Sequence, residues 1–205
     1  MRLFDNLSSG NGYKVRLLLA QLGLAYERIE LDIDRGETRT PAFLARNPNG
    51  RIPALELDEG NASEKTVLAE SDAILFYLAE GTPYLPGERL ARAQVLQWMF
   101  FEQYSHEPNI ATPRYWITHR VLTPDREAAL PAKREAGYAA LGVMETHLAT
   151  RDFFVAERYT IADIALYAYT HVASEGGFDL SGFPAVQAWL ARVAAQPGHI
   201  PITQG

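Results

Sequence analysis

The sequence predicts an α/β unit of order β-α-β-α-β-β-α, followed by an all-helical unit. Three observations predict it. Short apolar runs alternate with helix-period segments over residues 1–82. Pro83, Pro86 and Gly87 then interrupt the pattern. From residue 88 to residue 205 only helical periodicity remains. Taken in order, residues 2–6 read as a strand and Gly10-Asn11-Gly12 as a turn. A helix starts at Tyr13, with Val15, Leu18, Leu19 and Leu22 on one face, and stops at Gly23. Residues 26–32 form a second strand. The polar stretch 34–49 holds a short helical piece around Pro41. Residues 53–57 and 66–69 are strands joined by the polar loop 58–65. Residues 71–80 are helical, with Ile74, Tyr77 and Leu78 on one face and Gly81 at the end. In the second unit, residues 88–107 carry Val95, Trp98, Met99 and Phe101 in one periodic pattern, and Pro108 and Pro113 are expected to bend or break that helix. Thr123-Pro124 starts a helix that runs to about Leu148. Thr160-Ile161-Ala162-Asp163 opens another as a capping-box variant, and Pro184 opens a last one ending near Pro197.

A chain of 205 residues, 47% hydrophobic and 21% charged, is ordinary for a globular protein with a sizeable core. A net charge of -6 argues against a general nucleic-acid or anionic-membrane binder. The chain has no cysteine. That excludes disulfides, Cys-ligated metals and a protein thiol nucleophile, so any thiol chemistry belongs to a ligand. The five histidines, at 106, 119, 147, 171 and 199, show no metal-ligand spacing, and no metal is expected. Met1-Arg2-Leu3-Phe4-Asp5 lacks a signal-peptide core. No run approaches the roughly 18 apolar residues of a membrane span. A soluble cytoplasmic protein is expected.

Three segments carry candidate chemistry. Ser8-Ser9-Gly10-Asn11-Gly12 lies between the first strand and the first helix, where hydroxyls, backbone N–H groups and a positive helix end stabilise an anion such as a thiolate. Arg51-Ile52-Pro53-Ala54-Leu55 places a proline at a strand start, and a cis Ile52-Pro53 bond would offer the Ile52 backbone to an extended, peptide-like ligand. Glu70-Ser71 opens a helix and offers its N-terminus to a carboxylate. Each also suits a plainer role: a turn with a helix cap, a trans edge-strand proline, and an ordinary N-cap with a solvated carboxylate. Their combination in one α/β unit points to a receptor for a small peptide with a free carboxylate.

With these motifs the chain resembles the cytosolic glutathione S-transferase family over nearly its whole length. The features that carry it are Ser9-x-Asn11-Gly12-x-Lys14-Val15, Asn47-Pro48-Asn49-Gly50-Arg51-Ile52-Pro53-Ala54-Leu55, Glu70-Ser71-Asp72-Ala73-Ile74 and Thr160-Ile161-Ala162-Asp163. The resemblance implies a thioredoxin-like N-terminal domain (residues 1–82) and an all-helical C-terminal domain (residues 88–205). It implies glutathione as substrate, with no prosthetic group, and a small hydrophobic electrophile or a disulfide as co-substrate. Ile52 and Pro53 would then pair with the cysteinyl part of glutathione, Glu70 would face its ammonium, Ser71 its carboxylate, and Arg51 would help hold it. Ser9 and Asn11 would activate the thiol, Ser9 matching serine-type members and Asn11 a bacterial and fungal group with glutathione-disulfide chemistry. That group commonly has threonine where this chain has Ser9. Tyrosine-type members fit poorly, because no tyrosine precedes Tyr13, and cysteine-type members are excluded. Tyr104, His106, Tyr115 and Trp116 are candidates for the co-substrate wall, and equally suit core or dimer contacts. Arg39 is within sequence reach of the glycyl carboxylate but reads better as solvated. The implied activity is a cytoplasmic, homodimeric transferase of the detoxification type. The alternatives are a glutathione-dependent disulfide reductase or peroxidase, and a non-catalytic binding module.

Overall fold

The computed structural model describes residues 1–57, 65–119 and 121–205, so most of the loop expected over 58–65 lies outside the described residues. Contacts divide the chain into two compact units, Met1–Glu80 with Pro197–Gly205, and Gly81–Gln196.

In the first unit β1 (Arg2–Asp5) leads to α1 (Gly10–Leu22) and β2 (Glu27–Glu30). A single 3-10 turn (Glu37–Arg39) and α2 (Pro41–Leu44) follow, then β3 (Ala54–Leu57), β4 (Thr66–Ala69) and α3 (Ser71–Ala79). The sheet order is β2-β1-β3-β4. β1 is parallel to β2 and antiparallel to β3, with Phe4 opposite Ile29 and Ala54, and β3 is antiparallel to β4. This is the expected β-α-β-α-β-β-α order of a thioredoxin-like domain. Side chains alternate across the sheet, so Phe4 and Ala54 share one face. There they meet Phe43 of α2 in an apolar cluster, with the two rings 5.9 Å apart. Leu3 and Leu55 point the other way and are fully buried. α1 and α3 pack on each other, and Gly23 closes α1 in the left-handed region at φ 64°, where glycine pays no steric penalty.

Three expectations are corrected here. Gly10-Asn11-Gly12 is the first turn of α1 and not a loop, because Ser9 is extended and caps the helix by accepting from Gly12 N–H. The buried stripe of α3 is Ile74, Leu75 and Leu78, while Tyr77 is exposed. Residues 197–205 join the first unit and not the helical one. Tyr13 Oη donates to the Ile200 carbonyl at 2.7 Å, and the Arg16 guanidinium donates to the Ile202 carbonyl at 2.9 Å and to that of Gln204.

The second unit is helical: α4 (Arg89–Phe101), α5 (Glu107–Thr118), α6 (Pro124–Leu148), α7 (Ile161–Thr170) and α8 (Pro184–Ala194). The expected break at Pro108 is replaced by a π-helical segment, Glu102–His106, that carries α4 into α5. Glu107 N–H bonds the Glu102 carbonyl five residues back, and Pro108 falls in the first turn of α5, where its missing N–H removes no α-helical bond. Pro113 stays inside α5. α7 is buried along its whole length. Asp163 anchors its start: one carboxylate oxygen accepts from Thr160 N at 2.9 Å and Thr160 Oγ1 at 3.1 Å, the other from Phe154 N at 3.2 Å and Trp189 Nε1 at 3.0 Å. No helix among the described residues is long and apolar enough to cross a membrane.

Candidate functional site

β1 ends at Asp5, and the chain turns on Asn6. The Asn6 carbonyl accepts from Ser9 N at 2.9 Å, and its side chain accepts from Ser8 N at 3.1 Å and Ser8 Oγ at 2.6 Å. This turn delivers Ser9 to the N-terminus of α1. Ser9 Oγ accepts from Gly12 N at 3.1 Å. A hydroxyl that accepts on one lone pair keeps its proton to donate, and the helix end beside it favours negative charge. Gly12 has no room for a side chain, since a β-carbon would lie 1.6 Å from Asp5 Oδ1. Asp5 is itself buried, and its Oδ2 accepts from Arg16 Nε at 2.8 Å. Burial pushes the Asp5 carboxyl up to about 6, with the Arg16 charge opposing.

The second segment is built on the turn before β3. Asn47 is buried, and its Nδ2 donates to the Arg51 carbonyl at 2.8 Å, while its Oδ1 accepts from Asn49 N at 3.2 Å. Gly50 follows at φ 63°. Arg39, expected in solvent, is exposed but donates to the Asn49 carbonyl at 3.1 Å. The Ile52–Pro53 peptide bond is cis. Arg51 is exposed, and Ile52 packs its side chain against the Phe4–Phe43 cluster.

Glu70 stands between β4 and α3 with φ 66° and ψ 114°, a conformation that a residue with a β-carbon rarely adopts. Such strain persists where the surroundings enforce it, and it clusters at ligand-binding positions. Its carboxylate accepts from Asn49 Nδ2 at 3.5 Å, which ties this segment to the turn before Pro53. Ser71 is buried at the first position of α3, and its hydroxyl donates to Asn11 Oδ1 at 3.4 Å. Lys14 Nζ lies 3.3 Å from Ser71 Oγ and 3.2 Å from Asp72 Oδ1. Side-chain hydrogen bonds thus join Asn11 to Ser71 and Asn49 to Glu70, although the paired residues are 60 and 21 positions apart. Lys14, Asp72 and Asn49 were not picked out as site residues from sequence. Lys14 and Asp72 stand inside the quoted motifs, but periodicity alone assigns Lys14 to a helix face with no hint that it is buried.

In the helical unit the candidates separate. His106 is 0% exposed and its Nε2 is 2.8 Å from Thr170 Oγ1. Thr170 spends its proton on the Leu166 carbonyl at 2.7 Å, so His106 Nε2 carries the hydrogen. His106 therefore bridges the π segment to α7 inside the core, one of the two places the sequence left open for it. Tyr104 is 86% exposed. Tyr115 packs against His119 at 4.3 Å between rings, and Trp116 carries the Arg126 guanidinium 5.7 Å from its ring centre.

Comparison with known proteins follows the same division. Residues 1–80 match the model of the glutathione S-transferase N-terminal domain, and residues 98–197 that of the C-terminal domain. The chain is 51% identical to a glutathione S-transferase from Pseudomonas fluorescens Pf-5, over 99% of this chain and 98% of that one, with a TM-score of 0.94. It is 30% identical to a glutathione transferase from Pseudomonas putida whose crystal structure holds one glutathione disulfide per subunit, over 96% and 87% of the chains, with a TM-score of 0.83. It is also 31% identical, over 241 aligned positions, to the transcriptional regulator URE2 of Saccharomyces cerevisiae, which covers 99% of this chain and 67% of the relative. Matched in both domains and along nearly its whole length, the chain belongs to the glutathione S-transferase family.

Proposed function

We propose that this protein is a glutathione transferase that binds glutathione in its first unit and presents the thiol as a thiolate to a small apolar electrophile. One observation carries the reading: hydrogen bonds from Ser71 to Asn11 and from Asn49, beside Arg51-Ile52-Pro53, to Glu70 link three separate segments at the N-terminus of α3, and Ser9 caps α1 two residues before Asn11. In this reading the Ile52 backbone, next to the cis Pro53, pairs with the cysteinyl part of glutathione. The N-terminus of α3 holds the γ-glutamyl carboxylate at Ser71, Glu70 faces the ammonium, and Arg51 holds the ligand from the exposed side. Ser9 and Asn11 donate to the sulfur. A free thiol has a pKa near 8.5, and each unit by which the site lowers it corresponds to roughly 1.4 kcal/mol of preference for the thiolate. The thiol proton leaves to solvent. The sulfur lone pair then forms the bond to carbon while the leaving group departs with its electron pair. The reading also takes the active protein to be a cytoplasmic homodimer.

A second reading has support of its own. The Pseudomonas putida relative holds glutathione disulfide, and the same thiolate could attack a sulfur of a mixed disulfide, releasing the other sulfur as a thiolate. Turnover of an aryl halide against that of a glutathione mixed disulfide, on one preparation, separates the two. A third reading follows the relative named as a transcriptional regulator, in which the fold binds without catalysis. Calorimetric titration with reduced glutathione tests what the readings share. Saturable binding at or below millimolar concentration supports the site, and no binding at that concentration contradicts it.

A further inference from the structure

One buried side chain closes the turn before β3. Asn47 follows α2, with its N–H on the Phe43 carbonyl at 2.9 Å and its own carbonyl accepting from Gly50 N at 2.8 Å. Its side chain bonds twice within the next four residues. Nδ2 donates to the Arg51 carbonyl at 2.8 Å, and Oδ1 accepts from Asn49 N at 3.2 Å. A carbonyl oxygen only accepts and a backbone N–H only donates, so these two partners fix which way the amide faces. The Arg51–Ile52 peptide is trans. In a planar trans peptide the C=O and the N–H that follows it point in opposite directions. A carbonyl pinned toward Asn47 therefore aims the Ile52 N–H to the other side, away from the turn. Pro53 has no N–H, so Ile52 supplies the single backbone donor of the two residues that lead into β3.

We propose that Asn47 is a positioning residue for the ligand: by holding the Arg51–Ile52 peptide plane it aims the Ile52 N–H at the carbonyl of the cysteinyl residue of glutathione. The proposal rests on the glutathione site proposed above. Asn47 itself does not touch the ligand and acts through the peptide it holds. A side chain that merely closed the turn would need only the Oδ1 bond to Asn49 N, which makes an Asx-type turn by itself. The Nδ2 bond reaches further, to the carbonyl of the residue just ahead of Ile52. The tip of the same turn is held from outside, where Arg39 Nη1 donates to the Asn49 carbonyl at 3.1 Å. Asn49 Nδ2 reaches Glu70 at 3.5 Å, so the turn that sets the Ile52 donor also contacts the residue assigned to the ammonium.

The test reads the Ile52 amide directly. S-methylglutathione, which has no thiol to ionise, is titrated at neutral pH into isotope-labelled wild type, Asn47→Asp and Asn47→Ala, and assigned backbone amide resonances are compared at saturation. In the wild type the Ile52 amide proton is expected to move downfield as it meets the ligand carbonyl. Asn47→Asp keeps an acceptor for Asn49 N–H, and with it the turn, but sets an oxygen against the Arg51 carbonyl. There, and in Asn47→Ala, the Ile52 shift is expected to be lost while the Ser71 and Asp72 amides at the start of α3 move as in the wild type. Calorimetry is expected to show about three- to tenfold weaker binding, the worth of one hydrogen bond. A side chain that only closed the turn would lower the denaturation midpoint and leave the Ile52 shift in place. A wild-type Ile52 shift in ligand-saturated Asn47→Asp or Asn47→Ala overturns the proposal. So does a wild type that binds the ligand with its Ile52 amide unmoved, an outcome that needs no variant to fold. Failure of the wild type to bind glutathione or S-methylglutathione is a different result, and removes the site on which the proposal stands.

Discussion

At Gly12 two residue-scale effects oppose each other. Helix propensity alone favours Gly12→Ala by about 1 kcal/mol, because the residue is in the first turn of α1. Packing opposes it, since the new β-carbon would lie 1.6 Å from a carboxylate oxygen that is buried and tethered to Arg16. Overpacking costs about 1–3 kcal/mol, so packing wins and urea unfolding should show a net loss in Gly12→Ala. The neighbouring Asp5 makes a pH prediction. Burial raises its folded-state pKa from 3.8 to about 6. A carboxyl raised in this way adds stability that is full below about pH 4 and is lost as the pH rises through about 6. The stability of the wild type relative to Asp5→Asn should therefore fall between those values, by up to about 3 kcal/mol. Denaturation midpoints of both proteins across pH 4–8 would check it. These residues also mark what sequence can show. Asn11-Gly12 looks like a turn because turns favour those residues. Here the glycine answers to Asp5, a contact that only the folded chain creates. Glu70 and Ser71 were legible as a helix start, but the positive φ of Glu70 was not, because glutamate carries no signal for that backbone region.

At the scale of elements, the sequence pattern found the four strands and three α-helices described in the first unit, and their order, but not the 3-10 turn Glu37–Arg39. It erred where tertiary packing chooses among apolar residues, as at Tyr77, which is exposed beside a buried Leu78. At Pro108, where a bend or a break was expected, the chain passes from α4 into α5 through π geometry without a break. The start of α7 shows how one side chain governs an element. Asp163 takes two donors on each oxygen, joining the helix cap to the Phe154 backbone and to Trp189 of α8. Asn in its place turns an NH2 toward two of those four donors in either orientation. Leaving buried donors unmet costs about 1–3 kcal/mol each. Asp163→Asn should therefore lose roughly 2–4 kcal/mol at neutral pH by chemical denaturation. Equal stability would mean that the network contributes only complementarity.

At the scale of the whole chain, both ends belong to one unit. The last nine residues lie on α1 through Tyr13 and Arg16, and Arg16 also holds the Leu7 carbonyl just ahead of Ser8 and Ser9. The sequence was silent on this, because the acceptors are backbone carbonyls, which every residue has. What the sequence did convey at this scale was a cysteine-free chain whose three motifs point to a small peptide ligand with a free carboxylate, so that any thiol chemistry belongs to the ligand. Activation of that thiol is the central claim, and the most direct measurement is the pKa of glutathione bound to the wild type, to Ser9→Ala and to Asn11→Ala. The account predicts a wild-type value at least about one unit below the free thiol, and a rise toward the free value in one or both variants while glutathione still binds. A bound thiol that titrates like free glutathione, or a lowered value unchanged in both variants, would contradict it.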